Sequence, residues 1–438
     1  MNKKVAFKTL GCKVNQYETG SIKKSFEKNG YQLTDFNSKA DLYIINTCAV
    51  TGEAERKSKQ MIRKASRTNP SAKIIVTGCC VESNLKEIKN INNPNLAIIG
   101  NYYKEDIFSI LKNTGMKKDQ NEIYVKPITS LREYKNNPYN SITENVRALM
   151  KIQDGCNQFC SYCIIPYLRG KARSRLPEDI IKEIKQLSLE NYQEIVLLGI
   201  NLGSYGDDLL NQKINLSKII KNIEKSTPIS RIRLSSIELP WVTNELIETL
   251  SDSQKCCHHL HIPLQSGDDN ILSIMNRKYN GSHFLEKVKT LQKNIPDISI
   301  TTDVIVGFPG EDDSAFLNTY ELIKKIGFAK IHIFPYSTRN KSLSAYLPDK
   351  IPSCSVVKER IKKLNKLAKD LTINFLQKNI GKEKNILIES INVQKNESYG
   401  LTDNYIRVCL NDINLIKGQL KKVVLEDIKN NQFSGRII

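Results

Sequence analysis

The first hundred residues alternate short apolar runs with amphipathic stretches. Four of these runs have the length and composition of buried strands. They cover residues 5–10, 41–47, 73–78 and 96–100. Segments near 17–29 and 53–67 show helical spacing instead. This alternation predicts an α/β domain with a largely parallel sheet over residues 1–112.

A polar stretch rich in Pro, Asn and charged residues follows and predicts a linker over residues 113–143. The alternation then resumes, with helical patterns between six strand candidates. These candidates are RALMKI (147–152), EIVLLG (194–199), RIRLSS (231–236), HHLHI (258–262), ISITTDVIVG (298–307) and KIHIFPY (330–336). Six repeats are fewer than the eight of a closed barrel. They therefore predict an open, partial (β/α)6 barrel over residues 144–375.

The end of the chain has a third pattern. A basic helical stretch at 355–379 leads into short alternating runs separated by turn residues. Such runs predict a small all-β module over residues 376–438.

Composition adds an expectation about location and partners. The chain has no apolar run long enough to span a membrane and no signal peptide, so we expect a soluble cytoplasmic protein without membrane attachment. Its net charge of +20 favours a polyanionic partner such as nucleic acid. The sequence is also rich in Lys, Ile and Asn, as A/T-rich codon usage produces, so charge alone leaves the partner open.

Cysteine spacing changes the picture more than charge does. Cys156, Cys160 and Cys163 form a CxxxCxxC motif directly after the first predicted barrel strand. Three thiolates on one loop hold three irons of a 4Fe–4S cluster and leave the fourth iron open, where S-adenosylmethionine (SAM) can chelate. A zinc site is the alternative, but it wants four ligands, and no second cysteine pair has suitable spacing.

A second set of cysteines lies in the first domain. Cys12, Cys48 and Cys79 each follow a predicted strand. Because parallel strands end at one edge of a sheet, these thiols are expected to meet there and hold a second 4Fe–4S cluster. Cys80 is ambiguous, since adjacent cysteines cannot both point the same way.

At these residues the chain resembles a known family. The CxxxCxxC motif in a β/α barrel is similar to the radical SAM superfamily, and the three earlier cysteines resemble the auxiliary cluster of its methylthiotransferases. The resemblance spans essentially the whole chain, and the C-terminal module resembles the TRAM domain, an OB-like RNA-binding fold. The motifs that carry it are LGCKVNQYET, NTCAVT, CNQFCSYCIIPYLRGKARSR, HIPLQSG, VIVGFPGE and FPYS.

LGCKVNQYE looks like the branch that acts on N6-threonylcarbamoyladenosine (t6A) next to the tRNA anticodon. The resemblance implies insertion of sulfur and methyl at C2 of that base, with a 5′-deoxyadenosyl radical and two SAM. It also implies an electron donor such as flavodoxin or ferredoxin, and we expect a monomer. The alternatives are N6-isopentenyladenosine in tRNA, a ribosomal protein, or a non-catalytic zinc-dependent RNA-binding protein.

Further residues receive expected roles beside the clusters. The resemblance places SAM on the barrel cluster, with candidate contacts at strand-end positions. These are Gly199, Glu238, Gln265 and Asp303, with structural polar contacts as the alternative for Glu238 and Gln265; Tyr162, just before the last cysteine of the motif, is a further candidate. The basic run that includes Arg169, Arg173 and Arg175 is a candidate clamp for substrate phosphate or carboxylate groups, with a solvated basic turn as the alternative. Tyr405 is a candidate stacking platform for RNA in the C-terminal module.

Overall fold

The computed structural model describes residues 3–91, 93–114, 121–136, 146–429 and 432–438. The chain divides into two compact units. The first contains Met1–Thr143, Leu149–Arg175 and Ser337–Ala345, and the second contains Glu144–Ala148, Leu176–Tyr336 and Tyr346–Ile438. The predicted cluster loop therefore belongs to the same unit as the N-terminal domain.

The first unit is built on a six-stranded parallel sheet. Its strands are β1 (Lys4–Thr9), β2 (Gln32–Thr34), β3 (Leu42–Thr47), β4 (Lys73–Gly78), β5 (Leu96–Ile99) and β6 (Glu122–Tyr124). The order across the sheet is β2-β1-β3-β4-β5-β6. The chain thus moves outward from β1 to β2 and returns past β1 to β3. This reversal creates a switch point between β1 and β3, the place where open α/β sheets bind ligands.

Helices cover this sheet. They are α1 (Lys13–Lys28), α2 (Gly52–Thr68), α3 (Cys79–Ser83), α4 (Leu85–Lys89) and α5 (Ile107–Thr114). Every residue of β3 and β4 is buried, as expected for central strands covered on both faces. Two apolar cores result, one containing Phe26 and Ile44 and the other Tyr43 and Val76.

The four predicted N-terminal strands are all present, but the sheet is wider than the sequence indicated. Strand β6 lies within the predicted linker and pairs in parallel with β5, with Ala97 opposite Glu122. Part of the 113–143 segment therefore completes the sheet. Positions 115–120 and 137–143 of that predicted linker lie outside the described residues.

The segment that carries the CxxxCxxC motif is short and irregular. Its elements are β7 (Arg147–Lys151), β8 (Gln153–Asp154), α6 (Ile165–Arg169) and β9 (Arg173–Ser174). Strands β8 and β9 pair antiparallel, so they close the cysteine loop at its base.

The second unit continues the β/α alternation. Its elements up to the last predicted barrel strand are α7 (Pro177–Leu189), β10 (Glu194–Leu198), α8 (Leu216–Ser226), β11 (Arg231–Leu234), α9 (Asn244–Asp252), β12 (His259–His261), α10 (Asp269–Ile274), α11 (Gly281–Asn294), β13 (Ser299–Val306), α12 (Asp313–Ile326) and β14 (Lys330–Pro335). Strands β10 and β11 pair in parallel, as do β12, β13 and β14. Together with β7, the six predicted barrel strands are all present.

The second unit ends in a long helix and a closed barrel. These elements are α13 (Cys354–Gln377), β15 (Glu383–Asn392), β16 (Glu397–Thr402), β17 (Arg407–Leu410), β18 (Leu420–Lys429) and β19 (Gln432–Ile437). The five strands close in the order β15-β16-β17-β19-β18 around an apolar core that includes Ile386, Val408 and Phe433. A five-stranded closed barrel agrees with the predicted OB-like module.

The small barrel is anchored to the β/α part of its unit by buried arginines. The Arg233 guanidinium donates to the carbonyl oxygens of Thr402 (3.0 Å) and Asp403 (2.9 Å). Its charge is balanced by Glu194, whose Oε1 lies 2.6 Å from Arg233 Nε. Among the described residues, no helix has both the length and the apolarity required to cross a membrane.

Candidate cluster-binding site

Three neighbouring strands deliver a cysteine to one edge of the N-terminal sheet. Cys12 follows β1, while Cys48 and Cys79 come directly after β3 and β4. The register places Thr47 of β3 opposite Gly78 of β4, so the last two cysteines leave the sheet side by side. Cys12 and Cys48 flank the switch point between β1 and β3. The predicted convergence at the carboxyl edge therefore has the strand order that it requires.

Two glycines allow the cysteine loops to approach each other. Gly11 has a φ of +93°, and a Cβ built there would lie 2.7 Å from Cys48 Cβ and 2.8 Å from its Sγ. Gly78 has a φ of +100°, and its Cβ would lie 2.4 Å from the Thr47 carbonyl oxygen. Any side chain at either position would force these loops apart.

Asn15 connects the loops of Cys12 and Cys48 by hydrogen bonds. Its Nδ2 donates to the carbonyl oxygens of Leu10 (2.7 Å) and Thr47 (3.1 Å), which precede Cys12 and Cys48. Asn46 Nδ2 in turn donates to the Asn15 carbonyl oxygen at 3.0 Å. The asparagine of the LGCKVNQYE motif thus fixes the spacing between two of the cysteine-bearing loops.

The thiols of this set influence each other. The pKa of Cys48 is raised to about 11, mainly by burial, with smaller contributions from the neighbouring thiols of Cys79 and Cys12. Burial also raises the pKa of Cys79, against the opposing effect of the cations Arg169 and Lys104. Burial is therefore the main influence on both thiols, because it disfavours their charged form.

Cys80 has different surroundings from Cys79. It is fully buried, and burial raises the pKa of its thiol to about 12, with the nearby Glu55 adding to the effect. The charges near Cys79 are instead Arg169, Lys104 and Glu18. The two adjacent cysteines therefore have different charged neighbours, although both lie in the same apolar core.

The second cysteine set lies on a loop closed by backbone contacts. The amide of Cys156 donates to the Gly170 carbonyl oxygen (3.0 Å), and that of Cys163 donates to the Cys160 carbonyl oxygen (2.9 Å). Gly155 has a φ of +72°, and a Cβ there would lie 2.0 Å from the Lys171 carbonyl oxygen. A glycine is therefore required immediately before the first cysteine.

The structure brings both cysteine sets into one unit. Helix α6, which begins two residues after Cys163, packs against α3, which begins with Cys79. Ile164 and Leu168 of this region lie in the same apolar core as Val81. Asn101 Nδ2 also donates to the Leu168 carbonyl oxygen at 2.8 Å.

A buried charge network lies next to both cysteine sets. Glu18 accepts from Arg169 Nη1 (2.8 Å), Lys104 Nζ (2.7 Å) and Lys151 Nζ (3.1 Å). Arg169 Nη1 also donates to Asp154 Oδ1 at 3.0 Å. The cations hold the pKa of Glu18 well below its usual range, although burial alone would raise it. We call these five residues the Glu18 network.

Sequence reasoning missed most of the Glu18 network. Glu18 lies in the LGCKVNQYE motif, and Asp154 precedes the CxxxCxxC motif. Asn15 of the first motif also contacts the network, because its Oδ1 accepts a hydrogen bond from Arg169 Nη2 at 2.6 Å. Those motifs are the only local signal. Lys104 and Lys151 carry none, because their partner is 86 and 133 positions away.

The three arginines of the predicted basic clamp are buried. Arg169, Arg173 and Arg175 are 2%, 2% and 4% exposed. Arg173 donates to the carbonyl oxygens of Lys171 and Arg169, and Arg175 Nη1 contacts Met150 Sδ at 3.3 Å. These guanidiniums are buried, which excludes the alternative of a solvated basic turn. Their contact with substrate groups stays a prediction.

The candidate SAM contacts are distributed over both units. Tyr162 lies on the cysteine loop of the first unit, and the other four lie in the second. Gly199 follows β10, and Glu238 forms an ion pair with Arg277. Gln265 adopts a φ of +67° and its amide donates to the Asp303 carbonyl oxygen at 2.8 Å. Their contact with SAM stays a prediction.

Tyr405 packs inside the second unit. Its ring stacks on His259 with centroids 4.4 Å apart, and the Arg233 guanidinium lies 5.1 Å from its centroid. The ring therefore helps to anchor the small barrel, and its stacking on RNA stays a prediction.

The donor sets fit iron–sulfur clusters better than zinc. Within the part of the chain that the structure describes, no three His, Cys, Asp or Glu side chains converge closely enough to hold one metal ion. A zinc ion needs four ligands on a single atom, whereas a 4Fe–4S cluster spreads its thiolates over separate irons. Two sets of three cysteines on glycine-shaped loops suit the second arrangement.

Comparisons with known proteins agree with this division of the chain. Residues 4–100 match the uncharacterized protein family UPF0004, and residues 150–323 match the radical SAM superfamily. The threonylcarbamoyladenosine tRNA methylthiotransferase MtaB of Bacillus subtilis is 39% identical over 96% of this chain and 93% of its own length. The tRNA-2-methylthio-N(6)-dimethylallyladenosine synthase of Thermoanaerobacter sp. is 34% identical over 98% of this chain and 92% of its own length.

A solved structure supports the fold. The radical SAM methyltransferase TsrM of Kitasatospora setae, with cobalamin and a 4Fe–4S cluster bound, matches with a TM-score of 0.57. The match covers 78% of this chain and 74% of the TsrM chain, with 11% sequence identity. At this identity the match concerns the fold alone.

Proposed function

The chain belongs to the radical SAM methylthiotransferase family, and we propose that it adds a methylthio group to C2 of t6A next to the anticodon of tRNA. The relative from Bacillus subtilis named for this substrate is similar over nearly the full length of both chains. The LGCKVNQYE motif favours the same branch. The dimethylallyladenosine branch is the second candidate, because a relative of that name is 34% identical.

Family membership implies SAM and a 4Fe–4S cluster, for which Cys156, Cys160 and Cys163 are the ligands. We propose that Cys12, Cys48 and Cys79 hold a second cluster. The observation that carries the proposal is the packing of α6 against α3, which places both three-cysteine sets in one compact unit.

Two sites suit the chemistry of this reaction. The C2–H bond of adenine is not acidic at neutral pH, so its replacement calls for a radical. With SAM and both clusters bound, the cluster of the CxxxCxxC loop would supply the electron that cleaves SAM, and the second cluster would supply the sulfur for the new bond. The protein's own part is to hold the thiols: Gly11, Gly78 and Asn15 fix the spacing of the cysteine loops.

The remaining parts of the chain receive roles consistent with a tRNA substrate. We propose that the five-stranded barrel is a TRAM module that contacts RNA through its exposed surface, that a flavodoxin or ferredoxin supplies electrons, and that the protein works in the cytoplasm as a monomer. The net charge of +20 favours RNA binding.

Nucleoside analysis tests the substrate. The gene would be expressed in a bacterial strain lacking its own t6A and isopentenyladenosine methylthiotransferases, and the digested tRNA analysed by mass spectrometry. We expect 2-methylthio-t6A to appear and isopentenyladenosine to stay unmodified. The reverse pattern would assign the chain to the second branch, and no modified nucleoside would contradict both.

Cysteine variants test the second cluster. Anaerobically reconstituted protein should contain about eight irons if two 4Fe–4S clusters are present. Cys48→Ala should contain about four and lose methylthiolation while retaining SAM cleavage. Cys80→Ala is the matched control, because Cys80 is buried like Cys48 but is not one of the proposed ligands. Equal iron loss in both variants would contradict the assignment.

A further inference from the structure

One face of α2 carries arginines without ion-pair partners. Arg56, Arg63 and Arg67 are spaced by seven and four residues, so they lie along one side of the helix, with Gln60 between them. All three side chains are exposed. We call them the arginine stripe. With Gln60, Lys64 and Thr68 they line an open groove of about 560 Å³.

The charges elsewhere on α2 are engaged. Lys57 pairs with Glu53 at 2.8 Å, and Lys59 pairs with Glu55 at 3.2 Å. Among the residues that the structure describes, no carboxylate lies within ion-pair distance of the arginine stripe. The helix therefore carries a row of exposed guanidiniums beside two lysines that form ion pairs.

Arginine is scarce in this chain, with 15 arginines against 51 lysines. Nine arginines form ion pairs; these are Arg147, Arg169, Arg173, Arg231, Arg233, Arg277, Arg339, Arg360 and Arg436. Arg175 is buried and Arg407 stacks on Tyr399. Three of the four that remain form the arginine stripe. A bias towards lysine explains surface lysines, but it does not explain this cluster of arginines.

The chemistry of arginine indicates what the stripe binds. A guanidinium presents a planar fork of donors that matches two phosphate oxygens, whereas an ammonium is a point charge. Eleven residues of helix separate Arg56 from Arg67, which is about 16 Å along the axis. A row of this length contacts several successive phosphates of a nucleic acid strand.

The position of α2 connects the stripe to the candidate site. The helix begins four residues after Cys48, with Thr51 as its N-cap. We propose that the arginine stripe binds the phosphate backbone of the tRNA substrate beside the nucleotide that is modified. This inference rests on the proposed function and assigns RNA contacts to the N-terminal domain in addition to the C-terminal module.

Binding measurements at several salt concentrations test the proposal. The variant Arg56→Gln/Arg63→Gln/Arg67→Gln should bind t6A-containing tRNA about 10-fold or more weakly at moderate salt. The slope of log affinity against log salt should fall by about 2–3, because each lost phosphate contact contributes roughly 0.7–0.9. The corresponding triple Arg→Lys variant should keep most of the slope and lose part of the affinity.

The matched control removes the same charge elsewhere. Lys362, Lys366 and Lys369 are exposed on α13 at helical spacing, and their triple Gln variant should change the salt slope by less than about 1. If both triple variants lost the same tRNA affinity and salt slope, the effect would come from overall charge alone, and the proposal would be overturned. SAM cleavage without tRNA, driven by dithionite, should be the same in all variants.

Two further outcomes separate this proposal from its premise. If the wild-type protein does not bind tRNA, the proposed function fails and the stripe proposal fails with it. If tRNA binding is unchanged in the stripe variant but reduction by an acidic flavodoxin is slowed, the stripe is a docking site for the electron donor. That result would overturn the RNA assignment and leave the proposed function intact.

Discussion

Replacing Glu18 by glutamine tests how the Glu18 network holds the candidate site. Glu18 is 2% exposed and is the shared counterion of Lys104, Lys151 and Arg169. The substitution keeps the shape of the side chain and removes its charge. Among the described residues, Lys151 and Arg169 then keep ion pairs with the less buried acids Glu105 and Asp154, whereas Lys104 keeps none.

The expected cost follows from burial. Breaking a buried ion pair by removing one partner typically costs about 3–5 kcal/mol, because the other charge stays desolvated. Since Glu18 serves three cations, we expect a loss in the upper part of that range for the first unit. In thermal unfolding this corresponds to a midpoint that is lower by roughly 8–20 °C for a domain of this size.

Calorimetry of the protein without its clusters measures this effect apart from catalysis, and hydrogen exchange in α1 locates it. Glu105→Gln is the matched control, because Glu105 also faces Lys151, at 3.5 Å, but is more exposed. Because this contact is longer than those of Glu18 and Glu105 is less buried, we expect a smaller loss for the control. Equal midpoints for the two variants would refute the reasoning that the buried network stabilises the unit.

The same network predicts a dependence on pH. The pKa of Glu18 is lower in the folded than in the unfolded protein, so its stabilising contribution is complete above the ordinary carboxyl pKa of about 4.3. That contribution is lost as the pH falls from there towards the folded pKa. The difference in stability between wild type and Glu18→Gln should therefore be constant at neutral pH and shrink on acidification.

Two other substitutions separate structural from functional roles. Gly11→Ala should destabilise the first unit by about 1–3 kcal/mol and reduce the iron content, because the added Cβ would collide with Cys48. Gly30→Ala is the control: its backbone φ is also positive, but the added Cβ would meet open space, so this variant should retain its iron. Equal iron loss in the two variants would contradict the argument that the loops need a close approach at Gly11. Tyr405→Ala should lower the stability of the second unit by about 2 kcal/mol, because the ring stacks on His259. The loss should be visible as faster proteolysis of the small barrel, while the affinity for tRNA should stay unchanged. Weakened tRNA binding with unchanged stability would instead restore Tyr405 as an RNA platform.

The sequence by itself determined the long elements and the ligand sets. Strands such as β3 and β4 are continuous apolar runs, and such runs form buried strands in any α/β sheet. The cysteines were found for the same reason. Each N-terminal cysteine follows a strand, and the other three share one loop, so local spacing carries the information.

Short elements escaped prediction because they have little pattern of their own. Strands β2 and β6 have three residues each and exist by pairing with β1 and β5. Within the predicted linker, Glu122–Tyr124 became strand because the sheet edge offered unpaired backbone groups.

Only the tertiary structure decided which charged and aromatic side chains are free. Arg169 and Tyr405 stand in basic and polar sequence, yet the first is buried beside Glu18, 151 positions away, and the second stacks on His259. Arg63 looks similar in the sequence, but the fold leaves it exposed, with no ion-pair partner in the described parts of the chain. Burial depends on contacts between distant parts of the chain, and residue spacing along the chain does not encode those contacts.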